Sequence, residues 1–154
     1  MALFNVRVYG LLLDAQNRLL VSDEYIRGEF FTKLPGGGLE FGEGTRDGLA
    51  REFVEEIGIN VTVGEHLYTT DFFQISAFNK KDQIISIYYM AHSTDCAKIK
   101  TTEKNFDFST DQIADKKGTF ESFRWVDFEN LNEECMSLPI DKVAIGLLKQ
   151  KYAV

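Results

Sequence analysis

Three glutamates, Glu52, Glu55 and Glu56, follow a loop that holds Gly36, Gly37, Gly38, Gly42 and Gly44. On a helix turning about 100° per residue, spacings of i, i+3 and i+4 put the three carboxylates on one side, as neighbours. Like charges so placed repel, at a cost of roughly a few tenths of a kcal/mol per pair. Arg51 is the only cation at helical spacing from them, and Asp47 competes for it, so local pairing leaves the trio uncompensated. Most such trios are solvated acidic faces. Here the glycines let backbone groups come close to a ligand. A tight set of carboxylates is also what hard divalent cations such as Mg²⁺ select, together with waters and substrate phosphates. A cation would remove the repulsion.

To present these carboxylates, residues 45–57 must be helical. Leu49, Ala50, Phe53, Val54 and Ile57 fall on one apolar stripe, and Gly58 stands where a left-handed cap ends a helix. Upstream, residues 3–13 read as a strand, 14–17 as a turn, 18–26 as its hairpin partner and 30–34 as a short strand ending at Pro35. Downstream, 61–78 and 83–92 read as strands around the turn 79–82, 93–118 as a long loop, and 120–126 as a last strand. A final helix starts near Pro139, with Ile140, Val143, Ala144, Leu147 and Leu148 on one face. Strands arriving in hairpins favour a mixed sheet covered by helices, in the α/β class, over a doubly wound parallel sheet. At 154 residues, the expectation is one domain over 1–154.

Other motifs fail on inspection. A dinucleotide fingerprint begun at Gly36 meets Phe41 in place of its last glycine, and a P-loop begun at Gly37 has Glu43 and Gly44 where Lys and Ser/Thr belong. A net charge of −7 argues against duplex nucleic acid as a partner. The longest apolar run, around Leu11 to Leu13, is too short for a membrane span. Cys96 and Cys135 lack zinc-ligand spacing and read as reduced thiols, so the expected location is cytoplasmic.

The stretch from Gly37 to Ile59 resembles the Nudix box, G-x5-E-x7-R-E-U-x-E-E-x-G-U, where U is bulky and apolar. Gly37, Glu43, Arg51-Glu52, Phe53, Glu55-Glu56, Gly58 and Ile59 fill every fixed position, and Leu34-Pro35-Gly36-Gly37 is a common lead-in. Resemblance to the Nudix (MutT-like) hydrolase superfamily implies an α/β/α sandwich around a mixed sheet, with the box as loop-helix-loop. It also implies hydrolysis, dependent on Mg²⁺ (or Mn²⁺), of a small-molecule nucleoside diphosphate linked to another group. The alternative is a nucleotide-sensing module of the same fold without turnover. An isomerase branch would need an active-site cysteine, and Cys96 and Cys135 lie in unpromising loops.

By the same resemblance, Glu52, Glu55 and Glu56, with the Gly37 carbonyl, would bind metal, and Glu52 or Glu56 would be the general base. Glu43 and Arg51 would form a structural salt bridge. Of the late carboxylates Glu103, Asp107, Asp111, Asp115 and Glu121, the last is the first choice as an additional catalytic group. Arg27 and Lys33 are candidates for a phosphate, and Phe31 and Phe73 for stacking on a base. The proline, tyrosine and tryptophan markers of the ADP-ribose and dinucleoside polyphosphate subgroups are missing. Nucleoside triphosphates and nucleotide sugars stay open, as does a homodimer.

Overall fold

The structure is a computed structural model that describes residues 1–152. Seven strands and three α-helices follow in the order β1 (Leu3–Leu12), β2 (Arg18–Ile26), β3 (Glu29–Lys33), β4 (Gly36–Gly38), α1 (Thr45–Ile57), β5 (Thr62–Thr69), β6 (Asp82–His92), α2 (Thr110–Ala114), β7 (Thr119–Asp127) and α3 (Pro139–Tyr152). The strands form a four-stranded sheet, β4-β1-β6-β5, and a three-stranded sheet, β3-β2-β7. The first is mixed, because β1 and β6 run parallel from Leu3↔Asp82 to Leu12↔Ala91.

Alternation along the strands sends side chains to opposite faces. Leu11, Leu19 and Val21 pack with Ile140, Ala144, Ile145 and Leu148 of α3. Val8, Leu12 and Leu20 pack with Leu49 and Phe53 of α1. Both sheets feed both clusters, so the strands form one layer between α1 and α3, the α/β/α arrangement.

Strands β1 and β2 do not form the expected hairpin. They meet only at the bridge Leu13↔Leu19 and then diverge, β2 pairing instead with β3 and β7. The turn between them is fixed by Asp14, whose carboxylate accepts from the Gln16 and Arg18 backbone N–H groups and from the Arg18 side chain. Divergence beyond that turn opens a slot between the sheets.

Other expectations also shift. The strand expected over 61–78 ends at Thr69, after two register irregularities against β6; residues 70–81 then leave the sheet except for the bridge Ile75↔Gln83. The long loop 93–118 contains α2, which starts at a capping box where Ser109 and Gln112 bond each other's backbone. Part of the glycine run pairs as β4, with Arg7↔Gly38 and Tyr9↔Gly36 in register on β1.

Helix α1 ends at Gly58, whose φ of 79° lets its N–H reach the Phe53 and Val54 carbonyls. Its buried stripe is Gly48, Leu49, Glu52 and Phe53, while Val54, expected in the core, is 50% exposed. The helix is rolled so that a carboxylate replaces a valine against the sheet. Absent side chains make room for this: a Cβ on Gly37 would lie 2.6 Å from the Glu52 carboxyl.

Candidate active site

Arg51 links the glycine loop to the helix. It grips Glu43 through two parallel bonds, Nε to Oε2 at 2.9 Å and Nη2 to Oε1 at 2.7 Å. It also reaches the Gly38 carbonyl, Glu52 and Glu55. These contacts, with the Glu40 N–H bonded to the Glu43 side chain, hold the Glu43 carboxyl down to about 2. Contrary to expectation, two of the three helix glutamates are therefore answered locally, and Asp47 does not take Arg51. Glu56 is the one left over.

Glu56 lines a small polar slot of about 70 Å³ with Arg7, Tyr9, Ser22, Glu24, Lys33, Gly36 and Glu121. Glu24 and Glu121 face each other across the β2–β7 ladder. Glu56 as a whole is exposed, but its carboxyl end is crowded at the slot, and lost hydration there, followed by the charges of Glu121, Glu52 and Glu24, pushes it up to about 8. Lost hydration and Glu24 raise Glu121 as well. Such mutual destabilisation fits a hard divalent cation, which oxygen donors of this kind prefer. Among the described residues no three of the acids are placed to hold an ion as they stand.

Beside the slot lies a cavity of about 300 Å³ walled by β1, β6, residues 74–79 and the start of α3. Arg7, Tyr9 and Lys33 line both spaces. Lys33, nearly buried, pairs with Glu24 at 3.0 Å and lies 5.0 Å over the Phe78 ring. Inside the cavity Tyr9 stacks on Tyr88, their centroids 5.4 Å apart, and the Tyr88 hydroxyl donates to Asp141 Oδ1 at 2.5 Å. Asp141 is 2% exposed and its Oδ2 has no hydrogen-bond partner. Burial lifts its carboxyl to about 6 against the opposing pull of Tyr88.

The structure thus brings together Glu52, Glu56, Glu121, Gly37 and Lys33, with Glu55 outside on Arg51. Arg27, at a φ of 47°, lies at the cavity wall. Phe31 reaches the cavity only through its edge contact with Phe78. Phe73 is 70% exposed and lines neither space. Glu103, Asp107, Asp111 and Asp115 also lie outside both. Sequence reasoning missed Arg7, Glu24 and Asp141. The signal for the first two was a charge inside an apolar strand; Asp141 was hidden as an ordinary acid in the first turn of a helix.

A family model for the NUDIX domain matches residues 3–145. No curated protein sequence matches the chain. Among solved structures, the E. coli ORF135 protein is 18% identical, with 99% of this chain and 93% of that one covered and a TM-score of 0.66. A NUDIX hydrolase from Nitrosomonas europaea, 18% identical over 96% and 90%, gives 0.66. The MutT protein from Methanosarcina mazei Go1, 18% identical over 98% and 96%, also gives 0.66. At these identities the likeness is one of fold.

Proposed function

Because this chain belongs to the NUDIX domain family, we propose that it is a pyrophosphohydrolase splitting a phosphoanhydride in a nucleoside diphosphate joined to a further group. What supports this reading most is that Glu56 of α1 lines, with Glu121 and Glu24, a slot that shares Arg7, Tyr9 and Lys33 with a larger cavity. Glu52, Glu55, Glu56 and the Gly37 carbonyl would hold Mg²⁺ or Mn²⁺. The cation supplies neutralisation of phosphate charge when bound.

The residues then divide the remaining work. Glu52, tied to Arg51 and packed on Gly37, is held in one place and would serve as a fixed ligand. Of the two carboxylates facing the slot, Glu121 lies outside the ligand set and would take a proton from the attacking water, and Glu56 would do so only in place of holding the cation. Glu43 and Arg51 keep the loop against the helix. In the cavity, Tyr9 and Phe78 supply flat apolar walls.

A phosphate-release screen over nucleoside diphosphate derivatives, with Mg²⁺ and with chelator, tests this. The expected outcome is Mg²⁺-dependent turnover of at least one compound and a large loss in Glu56→Gln. Equal rates in variant and wild type would sink the site assignment. Tight nucleotide binding with no turnover of anything would favour a sensor.

A further inference from the structure

Four arginines are half-buried: Arg7, Arg18, Arg51 and Arg124. Three are paired with carboxylates: Arg18 with Asp14 at 2.7 Å, Arg51 with Glu43 at 2.7 Å and Arg124 with Asp23 at 2.8 Å. Arg7 forms no ion pair among the described residues. Its one side-chain bond runs from Nε to the Tyr9 hydroxyl at 2.6 Å, which leaves about four of the five guanidinium N–H donors without a protein partner. The two acids whose charges act on it, Glu52 and Glu24, are held by other cations, Glu52 by Arg51 at 3.1 Å and Glu24 by Lys33 at 3.0 Å.

The position matters as much as the missing partner. Arg7 lines both the carboxylate slot and the cavity, and its strand neighbour there is the all-glycine β4. A Cβ on Gly38 would only just touch Arg7 Nη1, at 3.7 Å, so β4 carries no side chain to cover the guanidinium. The Tyr9 bond fixes the plane of the fork, and the Tyr9–Tyr88 stack fixes Tyr9. A charged, oriented and unpaired fork between a cation-binding slot and an organic-group cavity matches the two free oxygens of a phosphoryl group.

We propose that Arg7 grips the phosphoryl group attached to the cavity-bound half of the substrate. The assignment rests on the hydrolase reading for its reaction and on the structure alone for its ligand.

Titration calorimetry of the whole chain in Mg²⁺ with inorganic pyrophosphate, run on wild type, Arg7→Ala, Arg7→Gln, Arg7→Lys and Tyr9→Phe, tests it. The glutamine variant keeps the aliphatic stem and a polar end if alanine impairs folding. Removing the charge should weaken pyrophosphate binding about tenfold or more. Lysine should restore part of it, and Tyr9→Phe should lose only a few-fold. On any compound found to turn over, Arg7→Gln should raise KM by a similar factor with kcat within a few-fold of wild type. Binding in Arg7→Gln within twofold of wild type, or no binding by the wild type, would overturn the assignment. Binding that depends on Arg7 without turnover of any compound would overturn the hydrolase reading and leave Arg7 as an anion-binding residue.

Discussion

The α1 side of the site and the α3 side answer their charges in opposite ways. Around Arg51 one cation serves Glu43, Glu52 and Glu55 and the Gly38 carbonyl, so the loop and helix are locked before any ligand arrives. Around the cavity, Arg7 has one bond and Asp141 has a bare oxygen. Saturated polar groups specify a shape; unsaturated ones specify a partner. Glu56 belongs by sequence to the first region and by chemistry to the second, and that makes it the most informative residue to change.

The sharpest break in the comparison is therefore Glu56→Gln. It should lower kcat by about 100-fold or more while the unfolding midpoint stays or rises, because a strained carboxyl is removed; a lower midpoint would mean that Glu56 is structural. Next is Asp141. Its folded carboxyl, raised to about 6 from 3.8, is neutral in the fold at pH 4, and the groups around it are Tyr88 and Tyr9 of the first sheet with Lys33 and Glu24 of the second. The resulting stability is complete below the unfolded value and disappears as pH rises through about 6. Denaturant titrations should show wild type losing on the order of 2 kcal/mol against Asp141→Asn between pH 4 and pH 7. A constant difference would rule out the raised carboxyl.

A smaller effect is expected at Glu55, which is exposed and bonded to Arg51. Glu55→Gln should cost activity less than Glu56→Gln by about tenfold, and its shortfall from wild type should shrink when Mg²⁺ is raised, since a lost ligand is compensated by mass action. Smallest of all is Phe73→Ala. With its ring 70% exposed and outside both spaces, KM should stay within about twofold; a large rise would bring residues 70–81 over the cavity on binding.

The same contrast explains what could be read without coordinates. The Gly37–Ile59 stretch is local, its spacing tied to one helix, so the loop, the helix and the placing of Glu52 and Glu56 on it are legible from a single run of residues. The cavity is not. Its polar groups come from β1, β3, β6 and α3, and nothing in a strand's alternation says which charge faces a neighbour. Arg7 looks like an interruption and Glu24 like a solvent-facing position. The failed β1–β2 hairpin has the same origin, because a tight turn predicts strand pairing only if no other partner competes, and β6 and β7 both do. Val54 misled for a subtler reason: apolar periodicity cannot register that Gly37 leaves space for a carboxyl.

Gly36 shows how hard one position can be held. Its φ is 150°, and a Cβ there would lie 2.0 Å from the Val8 carbonyl oxygen and 2.7 Å from Tyr9 Cα, both backbone atoms that cannot swing aside. In a saturation library selected for function, residue 36 should be an empty row with glycine as its lone survivor. Gly44, whose nearest neighbour would be the Asp47 carboxylate at 3.9 Å, should accept several residues. Two glycines of one loop would then differ in tolerance as widely as any pair in the chain. A directed-evolution campaign to retune this site should leave the first untouched and begin with the cavity wall.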